Sequence, residues 1–117
     1  MVRIEIFLTP LIAPALIMNF TFLLAGLIML LFPPKKINGI YGYRTTRSMK
    51  NQENWDKAQR FSAIKMIQIS TITGIVSLLL GLTNGYEKAA SIVSIVITLM
   101  SLGYLFYATE KHLKSPH

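Results

Sequence analysis

IFLTPLIAPALIMNFTFLLAGLIMLLFPP, residues Ile6–Pro34, holds no Asp, Glu, Lys or Arg. Two further blocks, Met66–Tyr86 and Ala89–Thr109, lack these residues as well. A helix of about 20 apolar residues spans the roughly 30 Å hydrocarbon core of a bilayer, and charges are excluded from it because burying them there is costly. Three such blocks in 117 residues leave little for a water-soluble core. The sequence therefore predicts an all-α integral membrane protein with three transmembrane helices.

The predicted architecture is a single three-helix membrane domain over residues 1–117. Its three spans and its polar loop are expected at about 6–32, 64–83, 88–107 and 33–65, respectively. Asn84-Gly85 is a turn dipeptide, and it makes the connection between the second and third spans short. These two helices are therefore expected to be antiparallel neighbours.

Most of the charge lies in the loop, since ten of the seventeen charged residues fall between Phe32 and Met66. Together with Lys111 and Lys114, the loop places ten of the twelve basic residues on one side of the membrane. Loops rich in Lys and Arg stay on the cytoplasmic side. We therefore expect a multi-pass protein of the cell membrane with its N-terminus outside and its C-terminus in the cytoplasm. The net charge of +7 is explained by this topology, so nucleic acid is not an expected partner.

The second half of the loop is predicted to be a helical extension of the second span. Ser48 or Asn51 can cap its start, and no Gly or Pro follows until Gly74. An apolar stripe recurs every three residues, at Trp55, Ala58, Phe61 and Ile64. Acid–base pairs at four-residue spacing are expected for Glu53–Lys57 and Asp56–Arg60. One helix should thus run from about residue 51 into the second span, with amphipathic first turns at or just below the membrane surface.

Small and polar residues recur at helical spacing within each span. They are Ala15, Asn19 and Gly26 in the first span, Ser70, Gly74, Ser77 and Gly81 in the second, and Ser91, Ser94, Thr98 and Ser101 in the third. In lipid, helices associate through close packing and interhelical hydrogen bonds, and small residues permit the approach. The stripes of the second and third spans should face each other or a partner subunit, and a homo-oligomer, most simply a dimer, is predicted. The Asn19 amide either makes a packing hydrogen bond or lines a substrate path.

The first half of the loop reads KINGIYGYRTTR, residues 36–47. Its glycines allow tight turns. Arg44, followed by Thr45, offers a fork of donors and a hydroxyl suited to a carboxylate or a phosphate. The alternative is that Arg44 bonds loop carbonyls or Asp56 and holds the hairpin. We expect Arg44 and Trp55 to form one site, with the indole stacked on the guanidinium. The candidate ligand- or partner-binding residues are Asn38, Gly42, Tyr43, Arg44, Thr45, Asn51 and Trp55.

The pattern of Asn38, Gly42-Tyr43-Arg44-Thr45, Asn51 and Trp55 ahead of a transmembrane helix resembles the SdpI-like family. These are small bacterial membrane proteins named for an immunity protein against a secreted peptide toxin. The chain is similar to the C-terminal three-helix unit of that longer protein, which has additional spans ahead of it. The resemblance implies a bacterial cell membrane, a role in toxin immunity, and a peptide toxin or a cytoplasmic regulator as a partner.

Three functions remain open at this stage. A non-enzymatic module that binds a ligand or partner at the loop and protects the membrane fits best. An oligomer could instead form a transporter or channel for small solutes or ions, or the loop could bind anionic membrane lipids through Arg44. An enzyme is not expected, because Glu53 and Asp56 are explained by helix-surface pairing and no serine or threonine has a nearby base. The sequence has no cysteine, and His112 and His117 share no helix face, so neither a metal nor a cofactor is expected.

Overall fold

The computed structural model describes residues 13–82 and 86–114, and these residues form helices and loops without a strand. The helices are α1 (Ala13–Leu31), α2 (Gln52–Leu80) and α3 (Glu87–Lys114). Each of the three is long and apolar enough to cross a membrane. The molecule measures 52 × 24 × 20 Å, and its long dimension exceeds the roughly 40–45 Å of a bilayer with its headgroups. The prediction of an all-helical chain with three potential spans is confirmed.

The ends of the helices differ in part from the predicted ones. α1 ends at Leu31, just before Pro33 and Pro34, because proline removes a donor and disfavours helical backbone in the preceding residue. The predicted start of this span, residues 6–12, lies outside the described residues. α3 continues past the predicted end at residue 107 to Lys114. Basic side chains in its last turn favour this continuation, because they interact well with the negative end of the helix dipole.

The helical extension ahead of the second span is present as part of one continuous helix, α2. Asn51 is the N-cap, and its side chain accepts a hydrogen bond of 2.8 Å from the backbone N–H of Asn54. The buried face differs from the predicted stripe, because Phe61 and Ile64 are only half-buried. The buried residues of these turns are instead Trp55, Ala58, Gln59, Ser62 and Ala63. Where these turns lie relative to the membrane surface remains a prediction.

α2 is the central helix, packing against α1 on one side and α3 on the other, while α1 and α3 touch little. Gly26 lies at a close approach of α1 to α2. A Cβ atom at this position would come within 2.9 Å of Ile67 Cγ1 and 3.0 Å of the Ala63 carbonyl oxygen. Glycine is therefore required for the close approach of these two helices.

A buried amide links all three helices. Asn19 of α1 donates from Nδ2 to Thr98 Oγ1 of α3 at 3.3 Å, and its Oδ1 accepts a hydrogen bond from Thr73 Oγ1 of α2. A Cβ atom added at Gly74 would lie 3.8 Å from Asn19 Cβ, which is ordinary van der Waals contact. The stripe residues Ser70, Ser77, Gly81, Ser91, Ser94 and Thr98 are all buried inside a single copy of the chain. Gly74 of the second stripe and Thr98 of the third both lie against Asn19 of α1. That the two stripes face each other or a partner subunit remains a prediction. Homo-oligomerisation remains a prediction.

Candidate functional site: the loop between α1 and α2

The loop of residues 32–51 has little regular structure, yet the first turns of α2 hold it in place. The Gln52 side chain donates to the Lys35 carbonyl at 2.7 Å, and the Trp55 indole donates to the Pro34 carbonyl at 2.6 Å. Gln59 binds the loop one turn further along α2. Residues three and four apart share a helix face, so this one face supplies the donors for otherwise unpaired loop carbonyls.

The Gln59 side chain pairs with the backbone of Tyr43 through both of its polar atoms. Its Oε1 accepts from the Tyr43 N–H at 2.7 Å, and its Nε2 donates to the Tyr43 carbonyl at 2.8 Å. These two hydrogen bonds resemble the pair of N–H···O bonds that opposite residues of two antiparallel strands exchange. Gln59 is only 2% exposed. The loop backbone thus provides hydrogen-bond partners for both polar atoms of this buried amide, and the same two bonds fix the loop to α2.

Gly42 allows the chain to pass close to this amide. Its φ of +108° lies in the region that side chains rarely adopt, and a Cβ there would come within 2.5 Å of Gln59 Oε1 and 2.8 Å of Pro34 Cγ. Gly39 is different, since nothing lies within 4 Å of its ideal Cβ position. Of the two glycines in the motif, only Gly42 is therefore required by its surroundings.

Asn38 stabilises the turn that precedes Gly42. Its Oδ1 accepts hydrogen bonds from the backbone N–H groups of Ile40 at 2.9 Å and Tyr41 at 2.7 Å, while its Nδ2 donates to the Lys36 carbonyl at 2.9 Å. This is the Asx-turn pattern, in which an asparagine side chain replaces a backbone partner. Asn38 thus uses its amide within the loop.

Thr45 and Ser48 form a reciprocal pair after Tyr43. The Thr45 N–H donates to Ser48 Oγ at 2.8 Å, and the Ser48 N–H donates to Thr45 Oγ1 at 3.1 Å. The single Ser48 hydroxyl proton is shared between the carbonyls of Tyr43, at 3.2 Å, and Thr45, at 3.1 Å. Ser48 therefore holds this turn, and Asn51 is the residue that caps α2. Both Thr45 and Asn51 use their side chains to shape the backbone.

Tyr43 joins the loop to the far end of the chain. Its hydroxyl donates to Glu110 Oε1 of α3 at 2.8 Å, and its ring lies 5.5 Å from that of Phe106. Arg47 Nη1 lies 3.6 Å from Glu110 Oε2. Burial, followed by the hydrogen bond to Glu110 and the charge of its carboxylate, raises the pKa of Tyr43 well above its usual value. The phenol therefore remains a protonated donor at neutral pH and ties the loop to α3.

The predicted stack between Arg44 and Trp55 is not formed. Trp55 is fully buried beneath Pro34, whereas Arg44 is exposed and its guanidinium donates to the Gly39 carbonyl. Within the described ranges, the cations that lie over aromatic rings are Lys65 over Phe61 and Lys111 over Tyr107. The reason is that the turn at Gly42 directs the arginine back toward Gly39, while the indole N–H is taken by a loop carbonyl. Arg44 thus follows the alternative prediction, in which it bonds a loop carbonyl.

One of the two predicted helix-surface ion pairs is also wrong. Lys57 Nζ lies 4.0 Å from Glu53 Oε1, as predicted. Asp56, in contrast, accepts a hydrogen bond of 2.8 Å from Gln52 Nε2 on the preceding turn, and it forms no ion pair with Arg60. The Gln52 amide, which also donates to the Lys35 carbonyl, is positioned to donate to the Asp56 carboxylate.

The residues that hold the loop were largely missed by sequence reasoning; they are Arg47, Ser48, Gln52, Gln59 and Glu110. For Gln59 a signal existed, since it is a long polar residue beside Trp55 and Ala58 on the buried face of α2. No comparable signal marks Glu110, which lies 67 residues from the tyrosine that it binds.

The loop offers exposed cations on a fixed backbone, and these are the groups through which it could bind another molecule. An open depression of about 960 Å³ lies on its outer side, lined by Thr45, Thr46, Arg47, Lys50, Asn54, Glu110, Leu113 and Lys114. The described part of the chain contains no group of His, Asp and Glu residues able to hold a metal ion. The arrangement is suited to recognition of an anionic group or of a partner's surface.

The chain is similar in sequence to known proteins over most of its length. Residues 35–108 match the model of a family described as the SdpI/YfhL protein family. The chain is also 40% identical over 92 residues to a Bacillus subtilis (strain 168) protein named "Uncharacterized protein YfhL". That alignment covers 79% of this chain and 78% of the relative. No solved structure matches the chain. The matched region includes the whole loop motif from Asn38 to Trp55.

Proposed function

Because this multi-pass membrane protein belongs to the SdpI/YfhL protein family, we propose that it is a non-enzymatic protein of the toxin-immunity type. In this proposal it binds a ligand or a partner at the loop between α1 and α2 and so protects the bacterial membrane from a peptide toxin. Membership of the family carries the proposal. The matched region, residues 35–108, contains most of the loop, the whole of α2 and α3 as far as residue 108.

The geometry of the loop supports a binding role. Gln59, Tyr43 and Glu110 fix its backbone to two helices, so little conformational entropy would be lost when a partner binds. Arg44 lies on the outside of this rigid segment with a single hydrogen bond among the described residues. Its remaining N–H donors are free to bind a carboxylate or a phosphate in a planar, bidentate manner.

The proposed orientation follows from the charge of the loop. Basic loops stay on the cytoplasmic side, so the partner is expected to approach from the cytoplasm or to be a toxin that has reached the inner leaflet. The N-terminus would then lie outside and the C-terminus inside. A cytoplasmic regulator docked on the loop fits this orientation equally well.

The test is protection of living cells. A bacterial host that carries the chain is exposed to a panel of secreted, membrane-active peptide toxins, and survival and membrane potential are compared with a vector control. We expect at least one toxin to kill the vector cells and to spare the cells that carry the chain. Arg44→Lys should lower this protection without lowering the amount of folded protein, because lysine keeps the charge and loses the planar fork.

Lys36→Ala is the matched control, since it removes an exposed basic residue of the same loop that makes no ion pair among the described residues and does not line the outer depression. Equal loss of protection for Arg44→Lys and Lys36→Ala would reduce the motif to generic positive charge. Equal killing with and without the chain by every toxin of the panel would contradict the immunity role itself.

A transporter or channel formed by an oligomer receives less support from the geometry. The hydroxyl stripes that would have lined its path are largely buried within one copy of the chain. The cavity that Asn19 lines is only about 10 Å³, close to the space of one water molecule. Asn19 itself bonds Thr73 and Thr98, which favours the packing role over the substrate path.

A further inference from the structure

A cleft of about 400 Å³ opens where α1 ends and α2 begins, and Arg44 is not among the residues that line it. One wall is apolar and comes from the last turn of α1 and the residues after it, including Leu30 and Pro33. The other wall is polar and carries Lys35, Asp56 and Arg60. The volume lies within the roughly 300–1,000 Å³ of known ligand pockets. A ligand that fits must therefore be apolar on one side and charged on the other.

The apolar wall is positioned to meet lipid. Leu30 belongs to a helix long and apolar enough to span the membrane, and Leu31 and Phe32 beside it are 69% and 71% exposed. Pro33, Pro34 and the first lysine of the loop follow at once. This order of apolar and basic residues is typical of the boundary between acyl chains and headgroups. The cleft thus opens at the depth where the glycerol and phosphate of a lipid lie.

The two cations of the cleft have no acidic partner among the residues that the structure describes. Within residues 13–82 and 86–114, neither Lys35 nor Arg60 forms an ion pair. Asp56 lies four residues before Arg60 and could have paired with it. Its Oδ1 atom instead accepts a hydrogen bond from Gln52 Nε2. A protein that leaves two adjacent positive groups unpaired at a membrane surface attracts anionic headgroups.

The floor of the cleft is fixed before a ligand arrives. Trp55 holds the Pro34 carbonyl, Gln52 holds the Lys35 carbonyl, and Gln59 is anchored on Tyr43. The positions of Lys35 and Asp56 are therefore set by hydrogen bonds of the loop backbone and of the helix. Such pre-organisation lowers the entropic cost of binding.

We propose that this cleft is a binding site for one membrane glycerophospholipid. Its phosphodiester lies between Lys35 and Arg60, and an acyl chain lies along Leu30 and the outer face of α1. Asp56 Oδ1 is bonded to Gln52, and Oδ2 is open to accept a hydrogen bond from the headgroup. The site therefore favours headgroups with O–H or N–H donors, phosphatidylglycerol and phosphatidylethanolamine, over phosphatidylcholine. It uses different residues from the Arg44 surface, and it stands or fails independently of toxin immunity.

The experiment is native mass spectrometry of the full chain in detergent micelles, titrated with phosphatidylglycerol. Lys35→Ala combined with Arg60→Gln removes both cations of the cleft. Lys36→Ala combined with Lys50→Ala removes the same charge from exposed positions of the loop outside the cleft. We expect the first double variant to bind the lipid at least about tenfold more weakly than the second, with equal melting temperatures in detergent.

Two outcomes would overturn the proposal. Equal binding by the two double variants would mean that only the overall charge attracts the lipid. Displacement of the bound lipid by free glycerol phosphate at similar concentration would mean that the site takes a soluble phosphate, because the acyl chain would then contribute nothing. Retention of the lipid against glycerol phosphate supports the lipid as the occupant.

The choice of headgroup is tested separately with Asp56→Asn, which keeps both cations. The original chain should bind phosphatidylglycerol more tightly than phosphatidylcholine by several-fold. The asparagine variant should lose most of that preference, since an amide nitrogen replaces the free acceptor oxygen. An unchanged preference would overturn the role of Asp56 in reading the headgroup.

Discussion

Gln59→Leu should release the loop from α2 while leaving the three helices in place. The side chain is 2% exposed, and its two bonds to Tyr43, at 2.7 and 2.8 Å, are the direct links between the centre of the loop and this helix. Leucine fills similar space but offers neither a donor nor an acceptor. The Tyr43 N–H would remain buried without its partner, whereas the Tyr43 carbonyl would keep Ser48 Oγ at 3.2 Å.

The size of the effect follows from this difference between the two groups. A buried donor left without a partner costs about 1–3 kcal/mol, and a hydrogen bond that can be replaced contributes about 0.5–1.5 kcal/mol. The free energy that holds the loop on α2 should therefore fall by about 1.5–4.5 kcal/mol. This corresponds to an increase of about 12- to 1,600-fold in the population with an open loop.

Hydrogen exchange of the Tyr43 amide, measured in detergent micelles or nanodiscs, reports this population directly. Gln68→Leu is the matched control, because Gln68 is an exposed residue of the same helix that makes no hydrogen bond among the described residues. Exchange at Tyr43 should accelerate in Gln59→Leu and stay unchanged in Gln68→Leu, while amides in the centre of α2 remain protected in both. Equal protection of Tyr43 in Gln59→Leu and the original chain would show that the amide pair does not hold the loop.

Three further predictions concern Gly42, Tyr43 and the orientation of the chain in the membrane. Gly42→Ala should lower the melting temperature, because a side chain in this left-handed backbone costs about 1–2 kcal/mol and its Cβ would displace the Gln59 amide. Gly39→Ala is the control and should leave the melting temperature unchanged, because a Cβ at that position would lie in open space. The raised pKa of Tyr43 means that its stabilising contribution is present below its unfolded pKa of about 10 and is lost as the pH rises further; thermal unfolding of Tyr43→Phe should lack that alkaline loss. The sequence has no cysteine, so single Lys50→Cys and Tyr86→Cys variants can be labelled on intact cells with an impermeant thiol reagent. Labelling of the second alone supports the proposed orientation, and labelling of the first alone contradicts it.

Properties that depend on transfer free energy and on local backbone chemistry could be predicted from the sequence. Three blocks without charge predict three spans, because the cost of placing a charge in hydrocarbon is a property of each segment alone. The cap at Asn51 and the end of α1 before Pro33 are similarly local, since they involve backbone groups within a few residues. The resemblance of the loop motif to the SdpI-like family is likewise borne out by the match over residues 35–108.

The partners of the polar side chains depend on the packing of the three helices in space. Arg44 and Trp55 were predicted to stack because they are close in sequence and chemically suited. Gln59, however, holds the backbone of Tyr43, just before Arg44, and the arginine turns toward Gly39. Glu110 reaches Tyr43 because α3 returns beside α2, which no local pattern encodes. A hydrogen bond or an ion pair depends on distances of a few tenths of an ångström, so periodicity identifies the face on which a residue lies, whereas its partner is set by how the helices and the loop pack together.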